Sequence, residues 1–98
     1  MTRNEIISRI ATLSDALRRE GVEHVGVFGS RARGDASGDS DLDILIDIAP
    51  GARFSLLNLS GVALLIEDCT GLPTQVVLRR SAPAPFLGRI ADDLVQVF

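Results

Sequence analysis

A chain of 98 residues supplies one hydrophobic core and no second lobe, so any lid or extra binding surface has to come from another molecule. Its 46% hydrophobic and 23% charged residues are those of a soluble globular domain spanning residues 1–98. A net charge of −3 argues against general nucleic-acid binding, which rests on excess positive charge, and the absence of Trp and Tyr removes the best base-stacking platforms.

All the basic residues are arginine, so neither a Schiff-base lysine nor a P-loop lysine is available. The single cysteine, Cys69, excludes an internal disulfide framework and suits a reducing cytoplasm, with a buried helix face as its plainest role. Charges run through the first ten residues where a signal peptide needs an apolar core, and no apolar run approaches a membrane span. A cytoplasmic location is expected.

In chain order, Thr2 and Glu5 fit a capping box, and Ile6, Ile10, Leu13 and Leu17 recur at helical spacing until Gly21. One helix is expected over residues 3–20. Val22, Val25, Val27 and Phe28 then mark a short buried strand ending at Gly29. His24 stands alone on it, without partners at metal-ligand spacing.

A polar loop from Arg31 to Ser40 follows, with Ala32 as its expected buried contact. In the next strand Leu42, Ile44 and Ile46 face one side, and Asp41, Asp43, Leu45 and Asp47 the other. Residues 54–69 read as a second helix, with Phe54, Leu57, Val62, Leu65, Ile66 and Cys69 on its apolar side. A third strand, TQVVLRR from Thr74, directs Val76 and Leu78 one way and Gln75, Val77 and Arg79 the other. A short helix near 86–93 precedes LVQVF, an extended or edge segment whose Leu94, Val95, Val97 and Phe98 serve either as an interface or as core.

Gly29 and Ser30 end a strand and enter a short helix, where backbone N–H groups and a hydroxyl converge on an anion. Arg31 and Arg33 are candidates for balancing a phosphate's charge. By themselves these features describe any Gly-Ser turn. Asp41 and Asp43 change the weighing: two residues apart on a strand they lie about 7 Å apart at the backbone, close enough for both carboxylates to converge on Mg²⁺. Without the upstream turn, an acidic edge strand explains the pair as well.

Taken whole, Gly29-Ser30-Arg31-Ala32-Arg33-Gly34 followed by Ser40-Asp41-Leu42-Asp43 resembles the signature of the polymerase-β-like nucleotidyltransferases. Within them the chain is similar to the minimal nucleotidyltransferases, small domains paired with a helical HEPN partner in toxin-antitoxin systems. The resemblance spans essentially the full chain. Neither G-x-G-x-x-G nor G-K-[ST] is present, so Rossmann and Walker readings fail.

The resemblance implies an α/β (α+β) nucleotidyltransferase fold: a small mixed sheet of three to four strands with helices packed on it. It also implies transfer of AMP, or another nucleotidyl group, from a Mg²⁺-bound triphosphate such as ATP to a hydroxyl. Gly29 and Ser30 would hold the β and γ phosphates, Asp41 and Asp43 the two metals, and a tyrosine of the HEPN partner would be the acceptor, making this chain the antitoxin.

One departure matters. The family supplies a third carboxylate from the next strand, and Gln75 stands at the matching position. An amide oxygen can coordinate, yet it adds no charge and takes no proton from an attacking hydroxyl. The chain is then either a working transferase or an impaired one that neutralises its partner by contact. Asp47 lies about 13 Å along the strand from Asp43, too far to substitute. Glu67 or Asp68 could do so only if the second helix turned them inward. The Arg33-Gly34-Asp35 adhesion-like tripeptide is incidental.

Overall fold

A computed structural model describes residues 1–98. Nine elements and one 3-10 turn follow in order: α1 (Arg3–Ala11), α2 (Ser14–Arg19), β1 (Val22–Phe28), α3 (Ser30–Arg33), β2 (Leu42–Ile48), α4 (Leu56–Thr70), β3 (Thr74–Leu78), the 3-10 turn Arg79–Ser81, α5 (Ala84–Ile90) and β4 (Val95–Gln96). The strands form one mixed sheet in the order β3-β2-β1-β4. β1 is antiparallel to β2 and to β4, whereas β2 and β3 run parallel. A parallel pair requires a crossover, and α4 provides it.

The capping box at the N-terminus is present: Thr2 Oγ1 accepts from the Glu5 amide and the Thr2 amide donates to Glu5 Oε1, each at 3.2 Å. The expected helix over 3–20 is nevertheless two helices. Thr12 Oγ1 donates to the Arg9 carbonyl at 2.6 Å, and the Leu13 amide reaches back to Ile10 rather than to Arg9, which tightens the turn and breaks the regular ladder. The apolar face survives the break, since Ile6, Ile10 and Leu17 are all fully buried.

α4 begins two residues later than expected because Ser55 caps it: the Ser55 amide donates to Asn58 Oδ1 at 2.9 Å. Its buried residues are Val62, Ile66 and Thr70, and Phe54 and Leu65 pack against the same core. Leu57 does not join them. Near the helix start, it is 84% exposed. The last helix, by contrast, starts earlier than expected, at Ala84, with Pro83 as its N-cap.

Strand alternation divides the core. Val25, Val27, Leu42, Ile44 and Ile46 pack with Ile6, Ile10, Leu17, Val62 and Ile66 on one face. On the other face Phe28, Leu45 and Ile90 form a smaller cluster joined by Val77, Phe86, Leu87 and Leu94. Val95, Val97 and Phe98 pack against the larger cluster, so the C-terminal run is core and sheet edge rather than a free interface. The smaller cluster covers only the middle of its face, and polar residues lie at both ends.

Candidate active site

β1 delivers the chain to Gly29, whose φ of 74° and ψ of −156° carry it sharply off the sheet. Only glycine suits the position, for two reasons. L-residues rarely adopt such a φ, and a Cβ there would collide with Asp43 Oδ2. The Gly29 carbonyl accepts from the Ala32 and Arg33 amides at 3.1 and 3.0 Å, which starts α3, and Ala32 is buried as expected. Gly34, at φ 86°, ends the helix.

β2 brings the acids to this turn. Asp43 pairs in register with Phe28 on β1 and with Gln75 on β3, so its carboxylate lies between the end of β1 and the third-acid position. Gln75 Nε2 donates to Asp41 Oδ2 at 3.2 Å. Gly29, Asp41, Asp43 and Gln75 are therefore gathered at one end of one sheet face. Burial pushes the Asp43 carboxyl above its ordinary value of 3.8, the Asp41 charge adds to this, and Arg33 opposes it.

This donor set suits a hard cation. Two carboxylates crowd one another, one of them partly desolvated, and a divalent ion would offset the repulsion with the oxygen ligands it prefers. No group of three or more His, Cys, Asp or Glu side chains is arranged for a metal anywhere in the chain. Asp41 and Asp43 are the acids that would hold an ion, and any third side-chain ligand in this cluster would have to come from the Gln75 amide.

The two arginines separate in role. Arg31 is 7% exposed, and its guanidinium donates to the Ser40 carbonyl from Nη2 at 2.9 Å and from Nε at 3.3 Å, and to Gly38 at 3.4 Å. It clamps the loop that leads into Asp41. Short polar side chains reinforce the loop, with the Ser37 amide donating to Ser40 Oγ at 3.0 Å. Arg33 is at the surface, held by Asp35 at 3.1 Å and Asp93 at 2.8 Å. Asp93 escaped sequence reasoning because its partner is 60 residues away and no local pattern marks it.

The remaining acids lie elsewhere. Asp47 shares the face of Asp43 but is paired with Arg79 at 2.7 Å, at the far end of the strand. Glu67 and Asp68 belong to α4, which packs on the opposite face, so neither replaces the missing acid. His24, beside Glu23 at 3.4 Å, is half exposed and stands at the Asp47 end.

Comparison with known proteins identifies the family. Residues 10–96 match the nucleotidyltransferase domain family. The chain is 35% identical over 98 residues to the protein adenylyltransferase MntA of Thermococcus cleftensis, covering 99% of this chain and 97% of that one. It superposes with a TM-score of 0.81 on a solved structure assigned as a minimal nucleotidyltransferase, at 28% identity over 97% of this chain and 95% of the other. A chain from the complex of a tri-AMPylated Shewanella oneidensis HEPN toxin with its MNT antitoxin shares the fold at 16% identity, with a TM-score of 0.69 over 99% of this chain and 72% of that one. The protein belongs to the nucleotidyltransferase domain family, as one of its minimal nucleotidyltransferases.

Proposed function

We propose that the chain transfers AMP from Mg²⁺-bound ATP to a hydroxyl of a HEPN partner in the cytoplasm and thereby acts as an antitoxin. One observation carries this reading: the Gly29 turn and Asp43 are packed so closely that no Cβ fits between them. A triphosphate seated on the turn therefore lies directly beside the acids. The adenylyltransferase name of the Thermococcus relative and the AMPylated HEPN toxin in the solved complex support the choice of AMP and of a protein acceptor.

In this reading Ser30 and the backbone of the turn hold the β and γ phosphates, and Asp41 and Asp43 hold the metal. Mg²⁺ supplies charge neutralisation on the triphosphate and its leaving group. The acceptor oxygen bonds to the α-phosphorus as the bond from that phosphorus to the β-bridging oxygen breaks. Pyrophosphate leaves and the hydroxyl proton passes to solvent, since Gln75 cannot accept it. Arg31 serves by fixing the loop ahead of Asp41, and Arg33 places positive charge near Asp43.

The test is incubation with a HEPN protein from the same genome, ATP and Mg²⁺, read by intact mass. Added AMP units that disappear in Asp41→Ala and Asp43→Ala support the reading, and transfer unaffected by both changes refutes it. A second reading has its own support. The Gln75 amide donates to Asp41 and so occupies one of the oxygens a metal would use. A chain limited in this way neutralises its partner by contact, shows no wild-type transfer, and gains transfer in Gln75→Asp.

A further inference from the structure

α4 carries apolar residues on the side turned away from the sheet as well as on the side that packs against it. Val62, Ile66 and Thr70 turn inward, and at about 100° per residue Leu57, Ser60, Gly61, Leu64 and Asp68 fall together on the opposite side. Leu57 is 84% exposed and Leu64 59%. Between them, a Cβ added at Gly61 would meet nothing within 4 Å, so the fold of one chain gives no reason for a glycine where alanine makes the better helix. The charges are as unusual. Glu67 and Asp68, the only charged residues of α4, lie in its last turn, and the exposed Arg53 precedes its first, each at the end where the helix dipole disfavours it. Arg9 reaches the Cys69 carbonyl from α1 at 3.4 Å, yet neither Asp68 nor Arg53 has an ion partner within the chain.

We propose that two copies of the chain pair through this face, with their α4 helices antiparallel about a twofold axis beside Gly61. The register follows from the spacing. With Leu57 of one copy against Leu64 of the second, Ser60 meets Gly61, and Asp68 comes to the start of the other helix, where Arg53 stands. Every contact then occurs twice, as a twofold interface requires. The small Ser60 and Gly61 at the crossing let the backbones approach to the spacing of about 8–10 Å at which the leucines of packed helices interdigitate. The antiparallel sense also answers the charges: Arg53 and the positive end of one helix lie beside Asp68 and the negative end of the other. A parallel pair would set like charges together. Because α4 packs on the sheet face away from Asp43, both Gly29 turns face outward from the pair.

The pairing does not depend on nucleotidyl transfer, so its test uses the whole chain alone at low salt. Sedimentation equilibrium is expected to show twice the 10.5 kDa chain mass at high concentration, dissociating on dilution through the micromolar range. Leu64→Asp, at an exposed site, is expected to weaken association at least about tenfold. Gly61→Gln should weaken it as much while raising the melting temperature at concentrations where the chain is monomeric, which separates crowding at the crossing from damage to the fold. Asp68→Arg should weaken association several-fold, and adding Arg53→Asp to it should restore the wild-type value. A wild type still monomeric at about 1 mM, or a dimer indifferent to both Leu64→Asp and Gly61→Gln, would overturn the pairing. Failure of the charge exchange to restore association would overturn the antiparallel register. A monomeric wild type that loses binding to a HEPN protein on Leu64→Asp would assign the face to that partner and overturn the pairing as well.

Discussion

β2 carries acids at both ends of the same sheet face, and the two ends treat them differently. Asp47 is matched by the Arg79 guanidinium at 2.7 Å. Asp43 and Asp41, four and six residues before Asp47 at the Gly29 end, have no guanidinium in contact, and Asp41 accepts only from the neutral Gln75 amide. The first arrangement is complete without a ligand. In the second, burial and a neighbouring carboxylate both work against ionised Asp43, a cost that a purely structural strand has no reason to retain.

The difference predicts unequal effects of mutation. Removing Asp43 should have the largest effect on activity: Asp43→Asn is expected to lower AMP transfer by at least about a hundredfold, the scale of losing a principal electrostatic contact in a transition state. The same change should leave the ion-free protein at least as stable at neutral pH. Because the folded-state pKa is raised, the native state binds more protons than the unfolded chain between 3.8 and that raised value, so wild-type stability falls as pH rises through this window. The wild type's disadvantage relative to Asp43→Asn should therefore be full at neutral pH and vanish below the window, as melting curves across pH can check.

Gly29→Ala comes next. A left-handed φ costs about 1–2 kcal/mol for a residue with a Cβ, and crowding against Asp43 adds about 1–3 kcal/mol. Denaturant unfolding should register the sum, together with lost nucleotide affinity. Arg31→Ala should cost about 2 kcal/mol through the loss of charge-assisted bonds to Ser40 and Gly38, and should loosen the loop before Asp41. Arg79→Ala should have the smallest effect, under about 1 kcal/mol, because its ion pair with Asp47 is exposed, and transfer should be unchanged. A large loss of activity there would erase the contrast between the two ends.

Much of the fold was legible because alternation and helical spacing are local. The faces of β2 follow directly from Leu42, Ile44 and Ile46 against Asp43, Leu45 and Asp47, and both clusters of the core respect that division. The break at Thr12 was hidden because the apolar face continues through it, and only the threonine's bond to the Arg9 carbonyl marks it. At the candidate site, spacing paired Asp41 with Asp43 downstream of the Gly29 turn, the family resemblance added Gln75, and the strand register places Asp43 beside Gln75. Composition does not say where the Arg31 guanidinium points. Its burial under the Ser40 carbonyl depends on the path of the loop, and the Arg33–Asp93 pair depends on the return of the chain from α5.

The most direct test of the central claim, that Asp41 and Asp43 are kept uncompensated to receive a metal-bound triphosphate, is the melting temperature at neutral pH with Mg²⁺ and AMP-PNP added together and singly. A rise of several degrees that needs both components in the wild type, and is absent in the Asp41→Asn and Asp43→Asn variants, is the predicted result. An equal rise in the variants, or none in the wild type, would contradict it.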